Sequence, residues 1–407
     1  MSTVDNRDHA GPSLHDLRAN GLAAFSLAAA LLSGCSSTGT SPANSPQSAP
    51  DNSSPSKDTI RPIMGDIEQY LLQAREYIKH KDFEAAISAY EKAVSISDTN
   101  YEALSGLGFA LTSTGDFKRA VSVYRKLVAA YPEDTQALGY LGYALLQSGE
   151  IENAIKTYQK ITELTPDKPE AWLKLARAYS WAGQSQEVIF PASKALDLKP
   201  DFKEARLLLA EEYRKMGKLP DAIREYNELL SAADNNNNKQ EVASIAFTIG
   251  KLYVEENDSR SAVNYFLKAL EASPDSPRIV REIAVSYDRS GDKRMAVKYY
   301  QKLIELQPGK PTFYYRLGEL YNQLGQTSLA REVAVKGLNI DKGCGARGLC
   351  VVGNSYEKEE RYEEAREQFL KAASCRDDET FSEYARKKAA KQDALIERER
   401  LIRQQGR

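Results

Sequence analysis

Histidine is nearly absent from this chain: His9, His15 and His80 are the whole supply in 407 residues. Cysteine is almost as scarce, with Cys35, Cys344, Cys350 and Cys375. Soft ligands are therefore too few and too scattered to close a tetrahedral zinc site, and no metal centre is expected. The motifs of catalysis are missing as well. No Gly-rich phosphate loop follows a strand, no helix carries His-Glu-x-x-His, and no serine and histidine stand in a nucleophilic arrangement. Beyond the N-terminal segment His80 is the one histidine, the residue type suited to proton transfer near neutrality. Carboxylate pairs do occur, but among lysines at the helix-face spacings of solvated ion pairs. Neither an enzyme nor a cofactor is expected. A dominant charge sign is lacking too: 55 Lys and Arg face 57 Asp and Glu, a net of −2. No whole-chain field then favours nucleic acid, anionic lipid or an acidic substrate, and specificity must be local.

What is present begins with an apolar stretch from Gly21 to Leu32, preceded by Arg18 and followed by Ser33-Gly34-Cys35. It falls short of the about 20 residues a membrane span needs, and its length fits the apolar region of a signal peptide. Leu32-Ser33-Gly34-Cys35 resembles a bacterial lipobox, which implies that residues 1–34 are removed and that Cys35 becomes a lipidated first residue. The segment before it is longer than is usual, and Asp5, Asp8 and Asp16 offset Arg7 and Arg18. Ser36 stands where an aspartate would resemble an inner-membrane retention signal. The expected location is therefore the outer membrane, facing the periplasm, with the lipid as the only membrane contact. A Ser-, Pro-, Asn- and Thr-rich stretch follows, too polar to bury a core, so 35–66 is expected to be a disordered tether.

From Ile67 the chain repeats with a period of about 34 residues, with further copies starting at Tyr101, Thr135, Pro169, Lys203, Ala243, Pro277, Pro311 and Ala346. The eighth position is small in every copy: Ala74, Gly108, Gly142, Ala176, Ala210, Gly250, Ala284, Gly318 and Gly353. The twentieth is small as well, from Ala86 and Ala120 through Val188 to Ala365. Large residues stand where they fill the complementary space, such as Tyr77, Leu111, Tyr179 and Tyr213 on the first helix and Tyr90, Tyr124, Tyr158 and Phe266 on the second. Small against large is the pattern of two interdigitating helices. Gly115, Gly149, Gly183, Gly217, Gly291 and Gly325 fall between those helices, where positive φ ends the first. Pro132, Pro166, Pro200, Pro274 and Pro308 fall where the second cannot continue.

These positions resemble the tetratricopeptide-repeat family. The resemblance covers the whole folded part and implies an all-α, right-handed superhelical solenoid of about nine helix-turn-helix hairpins. Five repeats are expected over 67–236 and four over 243–379. A polar insertion at 237–242, within the run that begins at Asp234-Asn235-Asn236, separates them. Residues 380–407 read as a C-terminal capping helix, with Phe381, Tyr384, Ala385 and Ala389 toward the last repeat and Arg398, Arg400 and Arg403 toward water.

In this family the first helices line a concave groove, and positions two, five, nine, twelve and thirteen point into it. That implies a partner-binding groove containing Phe109, Tyr143, Leu146 and Trp181, beside Gly139, which leaves room above its helix. Aromatics on a concave face suit an extended segment, although such residues are also ordinary core. Further along, Arg278, Arg281 and Arg289 occupy such positions with Phe247 and Tyr315 beside them. They could receive a carboxylate by forked hydrogen bonds, or form a solvated face that Asp288 and Glu319 neutralise. The clamp that holds chaperone tails needs lysine at a fifth and asparagine at a ninth position; Asn354 is present but Cys350 takes the fifth, so that clamp is not expected.

Cys344, Cys350 and Cys375 belong to one repeat, and antiparallel helices bring their ends together. In an oxidising compartment a disulfide of Cys375 with Cys344 or Cys350 is expected, leaving one thiol. The chain then reads as a non-catalytic scaffold of the bacterial cell envelope, binding extended or helical segments of other envelope proteins in the groove and aiding assembly of a complex. The alternative is a polysaccharide-associated scaffold whose groove aromatics stack on sugar rings.

Overall fold

The computed structural model describes residues 57–376 and 378–405. The expected signal peptide, the expected lipidation site Cys35 and the expected tether as far as residue 56 lie outside the described residues. Among those described are 19 helices and no strand. The chain divides into two compact units, up to Leu208 and from Leu209 onward.

The first unit contains α1 (Lys57–Lys79), α2 (Phe83–Ile96), α3 (Tyr101–Ser113), α4 (Phe117–Ala130), α5 (Thr135–Ser148), α6 (Ile151–Leu164), α7 (Pro169–Trp181) and α8 (Ser185–Leu198). The division falls inside α9 (Lys203–Lys215). The second unit contains α10 (Leu219–Asn235), α11 (Lys239–Glu255), α12 (Ser259–Ala272), α13 (Pro277–Ser290) and α14 (Lys293–Leu306). It continues through α15 (Pro311–Gln323), α16 (Thr327–Ile340), α17 (Ala346–Lys358) and α18 (Tyr362–Ala373) to α19 (Glu379–Gln405). Odd-numbered helices are the first and even-numbered helices the second of each hairpin, and α19 caps the last.

The turn inside each hairpin follows from one backbone device. After α3, Asp116 N–H donates to Leu111 O at 2.9 Å and Gly115 N–H to Thr112 O at 3.2 Å. This pair of bonds satisfies carbonyls the helix end leaves open and requires φ of +83° at Gly115. Asp116 then caps α4, its carboxylate accepting from Arg119 N–H. Lys81, Asn257 and Glu360 take the equivalent place without being glycine, at φ near 60°.

The pairing of small with large residues closes each hairpin. A Cβ placed on Gly142 would stand 2.6 Å from Cζ of Tyr158, and one on Gly353 would stand 2.8 Å from Cε1 of Phe369. Tyr124, Tyr158, Phe266 and Phe369 are all buried in the cores these contacts build.

Two boundaries differ from the sequence expectation. α1 begins at Lys57, so the tether expected over 35–66 is corrected over its last ten residues. The Ser- and Asn-rich bias ends by Lys57. The insertion expected at 237–242 is mostly helix: α10 runs to Asn235 and α11 starts at Lys239. Asn237 takes φ of +53°, Asn238 caps α11 by accepting from Glu241 N–H, and Val242 extends the buried face by one turn.

α19 packs on α18 and α17. Ala385 and Ala389 are buried, Phe381 is partly so, and Tyr384 donates to Asn354 Oδ1 at 2.9 Å. Glu357 on α17 fixes the cap by accepting from Lys388 at 2.6 Å and Lys391 at 2.8 Å. Burial would raise the Glu357 pKa, but these two bonds outweigh it and hold the carboxyl below its ordinary value.

Candidate protein-binding face

Within the first unit, α1 touches α3 and α3 touches α5, so first helices of neighbouring repeats lie against one another. The same holds in the second unit for α15 and α17. First helices therefore form the inner layer of each unit, and side chains they turn away from their hairpins line the inner face.

The groove residues expected from sequence do not all reach that face. In the first unit Phe109 is buried edge-on against Phe83 at 6.2 Å, and Leu146 is buried as well. Both belong to the core, because neighbouring helices cover them. Tyr143 is half-buried, and that burial raises its pKa. Trp181 keeps 37% of its surface open. Gly139 leaves its stretch of α5 uncovered, and the nearest heavy atom to a Cβ placed there is Nζ of Lys174, at 3.4 Å. Lys174 is exposed; partial desolvation of its amine lowers its pKa, with Glu170 acting in the opposite sense. Arg177 lies one turn further along α7. Burial pushes the Tyr158 hydroxyl up in pKa; charge on Tyr143 adds to that, and Arg177 pulls it back, so both lie within electrostatic reach of Tyr158.

In the second unit Phe247 is buried beside Phe266, and the guanidinium of Arg278 lies over its ring at 4.3 Å. Tyr315 is core, not groove: its hydroxyl donates to Asp341 Oδ2 at 2.6 Å, and its ring fills the space left open by Gly337 and Gly348. Arg281 and Arg289 are exposed; Arg281 approaches Glu282 at 3.4 Å. Asp288 and Glu319 do not neutralise these arginines. Asp288 accepts from Lys293 at 2.6 Å and from Arg316, while Glu319 accepts from Arg316 and a fork from Arg347 at 2.7 and 2.9 Å. Burial alone would raise Asp288, but Lys293 and Arg316 outweigh it and lower its pKa. The inner face here is already internally paired.

Cys344 and Cys375 form a disulfide, and Cys350 is the buried thiol left over. Burial pushes the Cys350 pKa up to about 12, so it is no nucleophile at neutral pH. Among the described residues no cluster of His, Cys, Asp and Glu could hold a metal, and no helix is long and apolar enough to cross a membrane.

Comparison with known proteins places this architecture. Residues 64–170 match the model of the cytochrome c-type biogenesis protein H TPR domain. Tetratricopeptide-repeat models match 203–275, 282–310, 299–332 and 346–376. No curated protein matches the chain at a significant level. Among solved structures, MamA is 24% identical over 40% of this chain and 96% of its own, at a TM-score of 0.38. YrrB, described as a TPR protein with an unusual peptide-binding site, is 16% identical over 48% and 98%, also at 0.38. A tetratricopeptide repeat protein from Parabacteroides merdae is 19% identical over 63% and 98%, at 0.36. The fold follows from the chain's own paired helices and the family models. Such repeats are generally non-catalytic scaffolds, and the hairpins, their small-against-large contacts and the matched models together make this chain a carrier of tetratricopeptide-repeat domains, a scaffold for protein interaction.

Proposed function

We propose that the protein is a lipid-anchored scaffold of the bacterial cell envelope, holding an extended segment of another envelope protein on the inner face of its first unit during assembly of a complex. The observation that carries this reading is the row on α5 and α7, where Gly139 leaves backbone open beside half-buried Tyr143 and exposed Trp181. Rigid aromatic groups at the edge of an open groove are typical anchors for a partner, and truncating a true anchor costs about 2 kcal/mol or more in affinity. The match of 64–170 to a domain described by cytochrome c-type biogenesis supports assembly work in the envelope. The sequence Leu32-Ser33-Gly34-Cys35 supports the anchor and the outer-membrane location.

The test is capture from an envelope extract by wild type, Tyr143→Ala and Trp181→Ala, with thermal unfolding of each. Loss of the captured protein with unchanged unfolding supports the groove; wild-type capture by both variants removes it. Cys35→Ala should abolish labelling by radioactive palmitate, and an unlabelled wild type would refute the anchor.

A further inference from the structure

The hairpin of α17 and α18 is weakly fixed by its own local devices. Its turn places Glu360 at φ of +60°, a conformation that is costly for a residue with a Cβ. Gly348 and Gly353 lie inside α17, where each glycine weakens the helix. Neither Gly345 at the start of α17 nor Arg361 at the start of α18 supplies a side-chain cap. What closes this hairpin is covalent. Cys344 precedes α17 and Cys375 follows α18, 31 residues apart in sequence with their Cα atoms 5.5 Å apart. The bond therefore ties the two open ends of the hairpin, opposite the Glu360 turn.

The cap depends on that hairpin. α19 packs on α18 and α17, and its polar contacts run to the same place. Ser382 Oγ donates to the Cys375 carbonyl at 2.7 Å, Tyr384 donates to Asn354, Lys388 and Lys391 donate to Glu357, and Arg366 of α18 pairs with Asp393. In an array of repeats each unit is held by its neighbours, so the outermost one opens without disturbing the rest. With the disulfide in place an opened hairpin stays a closed ring, which keeps opening rare; without it that restraint is gone. The two cysteines are not equally placed. Cys344 is exposed, between Gly343 and Gly345, whereas Cys375 is buried. An incoming thiolate therefore meets the Cys344 side. Cys350 is buried under α19, its thiol donating to the Phe381 carbonyl at 3.7 Å, so it reacts only when α19 lifts.

We infer that the Cys344–Cys375 bond is a redox latch on the second unit, opened by a dithiol reductant. One thiolate of the reductant attacks Cys344 Sγ, the S–S bond breaks, and Cys375 leaves as a thiolate that takes up a proton. The reductant's second thiolate then attacks its partner sulfur in the mixed disulfide, which releases Cys344 to be protonated in turn. Two electrons and two protons pass to the protein, and the reductant ends as its own disulfide. The segment from α17 to α19 then opens far more often. Phe381 and Tyr384 line a cavity of about 190 Å³ with Glu319, Arg347 and Asn354 on the inner face of this unit. Reduction thus removes a wall of the inner face at that end.

The experiment compares the purified oxidised chain with the same chain reduced by dithiothreitol and freed of it under argon. It follows alkylation of Cys350 by N-ethylmaleimide, counted on its own peptide by mass spectrometry, together with amide exchange along the chain. Reduction should speed Cys350 alkylation at least about tenfold and lower protection from α17 to α19, with the first unit unchanged. A double variant, Cys344→Ser with Cys375→Ser, should alkylate at the reduced rate without treatment and ignore dithiothreitol. If that variant folds poorly the wild-type chain carries the test, since reoxidation must bring back the slow rate. Equal alkylation and equal protection in the two states overturn the inference. A disulfide that stays intact in the folded chain under millimolar dithiothreitol overturns it as well, as does protection lost evenly over both units.

Discussion

Two glycines three residues apart on α5 give a test of opposite sign on one helix. Gly139→Ala and Gly142→Ala each remove a glycine from a helix interior, which by itself stabilises by about 1 kcal/mol. At Gly139 the new methyl meets only the mobile end of Lys174, at an ordinary contact of 3.4 Å. Most of that gain should survive, about 0.5 to 1 kcal/mol. At Gly142 the methyl stands 2.6, 2.8 and 3.0 Å from three carbons of the Tyr158 ring. Tyr158 is only 5% exposed, so the ring has no free space to move into. Overpacking of this kind costs about 1 to 3 kcal/mol, which exceeds the propensity gain and leaves a net loss of about 1 to 2 kcal/mol. For a unit of this size each kcal/mol shifts the melting temperature by about 2 to 4 °C. Calorimetry and guanidinium unfolding of the two variants should therefore separate them by several degrees on opposite sides of wild type. Gly142→Leu should fall further below. A Gly142→Ala protein as stable as wild type, or a destabilised Gly139→Ala, would refute the packing register.

Glu360→Gly should stabilise the last repeat by about 1 kcal/mol, because Glu360 holds φ of +60° where six other copies use glycine; Asn257→Gly should gain less, since asparagine tolerates that conformation, and urea midpoints will rank the two. Gln392 is buried in the cap with neither amide atom bonded, so Gln392→Leu should stabilise by about 1 to 3 kcal/mol in the same assay, and a loss would mean the amide has a partner. Asp288 and Glu357 both have pKa values lowered in the folded state. Their stabilisation is present above the unfolded carboxylate values, near 3.8 and 4.5, and is lost as pH falls through the lower folded values. The protection of α19 amides relative to their intrinsic exchange rate should fall below about pH 4, and Glu357→Gln should flatten that dependence while lowering protection at pH 7.

The hairpins were legible because each copy checks the others. Helices begin at Tyr101, Thr135, Pro169, Lys203, Pro277, Pro311 and Ala346, the residues at which the period places them. A small residue at one place means little, but nine at the eighth position mark a close approach. Where repetition fails, so does the forecast: α1 starts at Lys57, ahead of the first repeat, and α11 at Lys239 because the Asn238 cap and a continued apolar face decide that end. Burial at the inner face was harder to read. Position in the repeat gives a side chain's direction, not whether a neighbour covers it. Phe109 and Tyr143 share the ninth position, yet Phe83 covers the first and the second stays partly open. Tyr315 could have been recognised as core from Gly337 and Gly348, which lie inside helices and leave the volume its ring occupies.

The charges teach a similar lesson through their spacing. Arg316 bonds Asp288, Arg347 bonds Glu319 and Arg331 bonds Glu359, each across 28 residues, while Arg75 bonds Glu102 across 27. Pairing on these faces thus runs between successive repeats as well as within one helix. That is why Asp288 and Glu319 serve Arg316, Lys293 and Arg347 and leave Arg281 and Arg289 exposed. The same register makes Glu204 the natural partner of Arg177, and there the pair fails to close. Glu204 and Arg177 are both exposed, as are Arg281 and Arg289, so unpaired charge on these helices is solvated and need not close with a neighbour.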